Sequence, residues 1–255
     1  MKRPKLKSKD KASPVPRTIA LAVSGIEAPV ELKRHPNARR MTLRVHQARR
    51  VVLVTMPMRC RIEEADRFLR SHIDWIQRRL RSLPQSVEFV DGIRLPIRGI
   101  LHSVVFEPQR RGGPVVEQRD ERTGAVLSVR GTAETAPRRL MDWLVEEARR
   151  DLDAAVLVHA RRLGLRPRKL SIRDQGSRWG SCSSTGALSF SWRLVMAPPH
   201  VLDYVAAHEV AHLKEMNHSA RFWALVKSTM PDMDVARAWL NVHGLELHRF
   251  SPRHG

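Results

Sequence analysis

Tyr204-Val-Ala-Ala-His208-Glu209-Val-Ala-His212-Leu-Lys-Glu-Met-Asn-His218-Ser-Ala-Arg-Phe-Trp223 is the stretch on which the reading of this chain turns. His208, Glu209 and His212 form an HExxH pattern. Residues four apart on a helix differ by about 40° in direction, so His208 and His212 project from one side and can share a tetrahedral metal. Glu209 is rotated by about 100° from His208. It borders such a metal without ligating it, where it can take a proton from water. Val205, Ala206, Val210, Ala211 and Leu213 make this a largely buried helix. Two histidines and a glutamate on a buried helix are costly without a partner, and a metal removes that cost.

His218 supplies a candidate third ligand, giving HExxH-x5-H. Six residues along an uninterrupted helix would turn it about 240° away from His212, so the helix has to stop first. Asn217 is suited to a left-handed stop, and Ser219 to capping a helix that resumes at Ala220. The spacing coincides with the metzincin HExxHxxGxxH pattern, but Glu215 stands at the glycine position and no Met-turn is identifiable.

Working outward, Pro198-Pro199 introduces the helix, expected over about 200–215, and two more helices are expected over 220–229 and 233–242. Upstream, apolar residues recur at three- or four-residue intervals from Leu140 to His159, a long amphipathic helix beginning after Thr135 and ending near Gly164. Between them lie an expected strand at Lys169–Arg173, a turn-rich loop over 175–186 and a strand at Ala187–Val195. The first part of the chain reads differently. Short alternating or apolar runs between residues 18 and 56 predict strands, 62–82 predicts one helix ended by Pro84, and three more strands fit near 86–90, 101–106 and 125–129. The expected organisation is a basic tail over 1–17, a β-rich region with one helix over 18–133, and a mostly helical catalytic region over 134–250. The class is α+β.

The bulk figures narrow the class of function. The 255 residues leave room for a real core. No run reaches the ~18 apolar residues of a membrane span, and the N-terminus lacks the apolar segment of a secretory signal. Two cysteines, Cys60 and Cys182, in no CxxC pattern argue against a disulfide framework, and a cytoplasmic setting is the expectation. The formal net charge is +20, with five of nine lysines in the first eleven residues and paired arginines along the rest. Such a surface can attract a nucleotide or nucleic acid, or reflect an arginine-rich composition alone. There is no GxxxxGK[ST] phosphate loop and no helix-turn-helix or zinc-finger spacing.

The segment from Ser177 to Val226, SRWGSCSSTGALSFSWRLVMAPPHVLDYVAAHEVAHLKEMNHSARFWALV, resembles the YgjP-like metallopeptidases, relatives of the SprT-like zincins. The resemblance implies a zincin-type fold, zinc on His208, His212 and His218, and Glu209 as catalytic base. It also implies that the Arg178–Ser183 loop and the Leu188–Leu194 strand lie along a substrate cleft. The expected function is a zinc-dependent hydrolase acting on a peptide or protein. Two alternatives keep the metal: a nucleoside triphosphate pyrophosphatase or phosphohydrolase, and a protease held on DNA by the basic surface.

Four further residues have two readings each. Tyr204, one turn before His208, can stabilise an oxyanion or simply pack with a tethered hydroxyl. Arg193 can neutralise developing negative charge or form a structural ion pair. Arg178 and Trp179 can touch substrate or only position their loop. Cys182 reads as an inert thiol, since three histidines and water complete a catalytic zinc site. His159 reads as a packing group facing the HExxH helix.

Overall fold

The computed structural model describes residues 18–47, 49–122, 124–176 and 178–251; the expected basic tail over 1–17 lies outside them. Among the described residues it is a mixed α and β protein with six α-helices and several sheets. Among these residues no helix is long and apolar enough to cross a membrane. The compact units divide between Ser82 and Leu83, with residues 47–49 grouped in the second. The change of sequence character lies elsewhere, near Thr135.

The first unit carries strands β1 (Thr18–Leu21), β2 (Val30–Arg34), β3 (Thr42–His46) and β4 (Val51–Met56), ordered β1-β2-β4-β3 with β2 and β4 parallel. Alternation decides which side is buried. Val30 and Leu32 of β2, and Val52, Val54 and Met56 of β4, are each 1% exposed or less. The expected single helix over 62–82 is two, α1 (Ile62–Ser71) and α2 (Ile73–Arg81). The break is local. The His72 ring lies 2.8 Å from the Phe68 carbonyl and Ser71 Oγ donates to the same oxygen at 2.9 Å, so side chains replace the continuing helical bond.

The second unit begins with β5 (Val87–Glu88) and a four-stranded sheet of β6 (Arg94–Ile97), β7 (Ile100–Phe106), β8 (Val116–Glu121) and β9 (Gly124–Val129), ordered β6-β7-β9-β8. The long helix α3 (Ala136–Leu163) follows, with Pro137 at its start and Gly164 in the left-handed conformation at its end. Leu140, Leu144, Ala148 and Leu152 lie on one face and are all 0% exposed. They belong to the same core as Leu95, Val104, Leu127 and Val129 of the sheet, which is why residues 83–133 group with the helices.

A small sheet comes next: β10 (Lys169–Arg173), β11 (Gly180–Cys182) and β12 (Ala187–Ser191), ordered β10-β12-β11, with β10 parallel and β11 antiparallel to β12. Two expectations change here. β11 lies inside the segment expected to be loop. The strand expected to run to Val195 stops at Ser191, whose Oγ accepts from Arg193 N as a 3-10 turn begins over Trp192–Met196. Helices α4 (Pro199–Ala211), α5 (Ala220–Thr229) and α6 (Met233–Leu247) complete the unit, with β13 (Phe250–Ser251) pairing with β5. His159, 0% exposed on α3, joins three helices: its ring nitrogens meet Thr229 Oγ1 at 2.7 Å and Asp203 Oδ1 at 2.9 Å.

The register of α3 is directly testable. Leu152→Ala, in the core, should cost about 2–5 kcal/mol in chemical denaturation. Leu157→Ala, at a half-exposed position, should stay within roughly 0.5 kcal/mol. Equal costs would contradict this burial.

Candidate metal centre

Helix α4 forms because Pro199 presets its first turn and the residues after it are almost all apolar; Val201, Ala206, Ala207, Val210 and Ala211 are buried on every side. Its last turn brings His208 and His212 to the same side, ring centroids 4.9 Å apart. The helix then ends at once. Leu213 N bonds Val210 O and Lys214 N bonds Ala211 O, a tightening of the final turn. A left-handed Asn217 is not the device: among the described residues other than glycine, only Arg50 and Arg98 have positive φ. The short connection delivers His218 beside the pair, with centroids 5.0 Å from His208 and 4.8 Å from His212. Ser219 then caps α5, its Oγ accepting from Phe222 N at 3.3 Å.

One potential ligand nitrogen from each of His208, His212 and His218 lies within 4.8 Å of the others, and no other group of three or more such side chains converges in this way among the described residues. His208 Nε2 and His218 Nε2 are 3.0 Å apart. Tetrahedral ligands about 2.0–2.1 Å from a metal lie about 3.3–3.4 Å from one another, a spacing close to that of the His208–His218 pair. His212 Nδ1 is satisfied by the Glu215 carbonyl at 2.9 Å, which orients the ring and leaves Nε2 for the cluster. Burial lowers the His208 pKa to about 3, with the neighbouring His212 and His218 adding to the effect. Burial lowers His212 as well. Neutral imidazoles are the form that binds a metal, so this donor set fits a divalent transition ion.

Phe222 is the floor of this cluster. It is fully buried, and its ring lies 4.4–4.8 Å from all three imidazoles. Its contact with every histidine depends on the turn at 213–219. Trp223 stacks on His218 at 5.7 Å.

Glu209, next in sequence to His208, faces β11. It is 5% exposed, and its Oε2 is buried with no hydrogen-bond partner among the described residues. Burial pushes its carboxyl up to about 7, opposed by the charge of Arg178. Gly180 permits the approach. A Cβ there would lie 2.5 Å from Glu209 Cγ and 2.6 Å from Oε1, so any side chain would displace the carboxylate. Cys182, two residues along β11, stays outside the histidine cluster; burial and then the Glu209 charge push its thiol pKa up.

A cavity of about 320 Å³ opens beside Glu209 and His208. Tyr204, Arg178 and Trp179 line it, as does Gly180. Tyr204 sits edge-on to His208 at 5.9 Å. Trp179 is anchored as well as exposed to the cavity: it packs against Gly244 and lies 4.8 Å from the His248 ring. Arg193 does not line it. Its side chain is fully buried, pairs with Asp174, donates to the Phe250 carbonyl at 3.1 Å and stacks on Trp192 at 4.3 Å. The structural ion pair is therefore the reading the geometry supports, and β12 reaches the cavity only through β11. Arg237 and Asn241, from α6, also line it and carry no local sequence signature.

A model of the YgjP-like metallopeptidase domain matches residues 39–243. No curated protein matches the chain. A solved structure that does match is the metallopeptidase zymogen abylysin of Pyrococcus abyssi, at 20% identity and a TM-score of 0.33, covering 36% of this chain and 95% of that one. With the family model spanning most of the sequence, including all three converging histidines and the buried glutamate, the chain belongs to the YgjP-like metallopeptidase family.

Proposed function

We propose that the protein is a zinc peptidase of zincin type in which His208, His212 and His218 hold the metal and Glu209 handles the protons. The observation that supports this most is the meeting of three imidazoles within 4.8 Å beside a buried, unpartnered carboxylate oxygen. Zinc is the ion that three neutral imidazoles with an open fourth position favour. When bound it supplies a Lewis acid that polarises a carbonyl and acidifies water.

The rest of the chemistry belongs to the chain. Glu209 Oε2 accepts a proton from the attacking water and returns it to the departing amine. A carboxyl pushed up to about 7 by burial holds that proton long enough to pass it on. The charge of Arg178 opposes that rise, and a cation on the histidines would oppose it further, favouring the ionised form that accepts a proton. Gly180 keeps the carboxylate seated, and the Glu215 carbonyl keeps the His212 ring turned. Tyr204, buried along the cavity wall, would donate its hydroxyl to an oxygen of the bound peptide.

Three outcomes test this reading. Glu209→Gln should keep one equivalent of zinc by metal analysis and lose about 10²-fold or more in kcat on peptides, whereas His218→Ala should lose the metal. Gly180→Ala should also retain zinc yet lose roughly 10²-fold in kcat, because the Cβ displaces the carboxylate; unchanged kcat would contradict the close approach. A folded, zinc-loaded wild type that cleaves nothing in a broad peptide library, or that releases phosphate from nucleotides instead, would overturn the peptidase reading.

A further inference from the structure

The cavity beside Glu209 carries more positive charge than the proposed chemistry uses. Two guanidinium groups line it, Arg178 just before β11 and Arg237 on α6. Several other arginines of this unit are matched to carboxylates, while others on its surface are not. Arg98 pairs with Asp151 and Glu147, Arg119 with Glu117, and Arg193 with Asp174. Arg178 and Arg237 have no carboxylate within ion-pair distance among the described residues, although Asp234 precedes Arg237 by one turn of α6. The one acidic group on the cavity wall is Glu209, which is committed to proton transfer.

Arg237 is also held in place. Its Cζ lies 5.1 Å from the centroid of Trp223, whose ring stacks in turn on His218. A guanidinium stacked on an aromatic face keeps its edge N–H donors free for a planar anion. Asn241, one turn further along α6, adds an amide to the same cavity. Leu240 and Val205 supply the apolar remainder of the lining. The volume of about 320 Å³ suits one or two residues of a peptide rather than a long segment.

We propose that Arg178 and Arg237 make this cavity a carboxylate-recognition subsite, so that the enzyme prefers peptides with an acidic side chain or a free C-terminal carboxylate next to the cleaved bond. The proposal rests on the peptidase reading for its substrate class. Charge-assisted bonds from the two guanidiniums discriminate an acid from its amide by roughly 10-fold or more. An arginine fork matches a carboxylate in two parallel bonds, which sets the acid in one orientation relative to Glu209.

The test uses the full-length zinc-loaded protein and matched peptides: Glu against Gln at each position flanking the cleaved bond, and free acid against amide at the C-terminus. Wild type should cleave one acid member with kcat/KM about 10-fold or more above its amide, and which pair shows the preference identifies the source of the carboxylate. The acid-to-amide ratio should fall in Arg178→Ala and in Arg237→Ala, and approach one in the double variant; both positions are exposed, so folding should survive. Calorimetry with zinc-loaded Glu209→Gln should return the same preference in Kd without any cleavage. If wild type cleaves no peptide, the peptidase reading fails while the calorimetric ratio still decides the subsite. Equal kcat/KM or Kd for every acid and amide pair, a preference that persists in the double variant, or tighter binding of inorganic phosphate than of the acid peptides would overturn the proposal.

Discussion

Three side chains can surround one ion only if the backbone between them turns at the right residue. His208 and His212 are aligned by helical pitch, but His218 would point away if α4 continued for even one more turn. The helix is stopped by i→i+3 bonding at Leu213 and Lys214, and the chain restarts as α5 under the Ser219 cap. The His212 ring is fixed by the Glu215 carbonyl within that same turn. The connection that brings in the third histidine also orients the second. Phe222, in the first turn of α5, then packs against all three imidazoles.

The remainder of the second unit keeps this turn in place. Helix α4 is buried on all sides, and His159 ties it to α3 and α5 through Asp203 and Thr229. On the other flank, β11 closes against Glu209 with nothing but a glycine between them. Glu209 Oε2 is buried there with no hydrogen-bond partner among the described residues. A cation on the proposed histidine site would offset the cost of that burial. Arg193, buried against Trp192 and Asp174, braces the turn after β12 and so supports the strand that holds β11.

What could be read in the sequence was what depends on near neighbours. The 3.6-residue spacing marked α3, α4 and α5, and HExxH placed two histidines and Glu209 from four consecutive bonds' worth of geometry. Non-local pairing was hidden. β11 reads as a Gly- and Ser-rich loop, and becomes a strand only because β12 pairs with it. The apolar run through Val195 looks like strand throughout, yet Ser191 starts a 3-10 turn, a distinction that apolar runs do not encode. The fate of Arg193 depended on Asp174, nineteen residues away, and α1 and α2 parted where the His72 ring took a carbonyl. Arg237 and Asn241 had no signature at all, because α6 reaches the cavity through tertiary packing alone.

The central claim is a zinc ion on three imidazoles, and X-ray absorption at the zinc edge on the purified protein tests it most directly. Three imidazole nitrogens and one further light atom at about 2.0–2.1 Å, with no sulfur, are the expected result. A zinc–sulfur distance of about 2.3 Å, which would make Cys182 a ligand, would contradict it. So would a scattering pattern with fewer than three imidazoles.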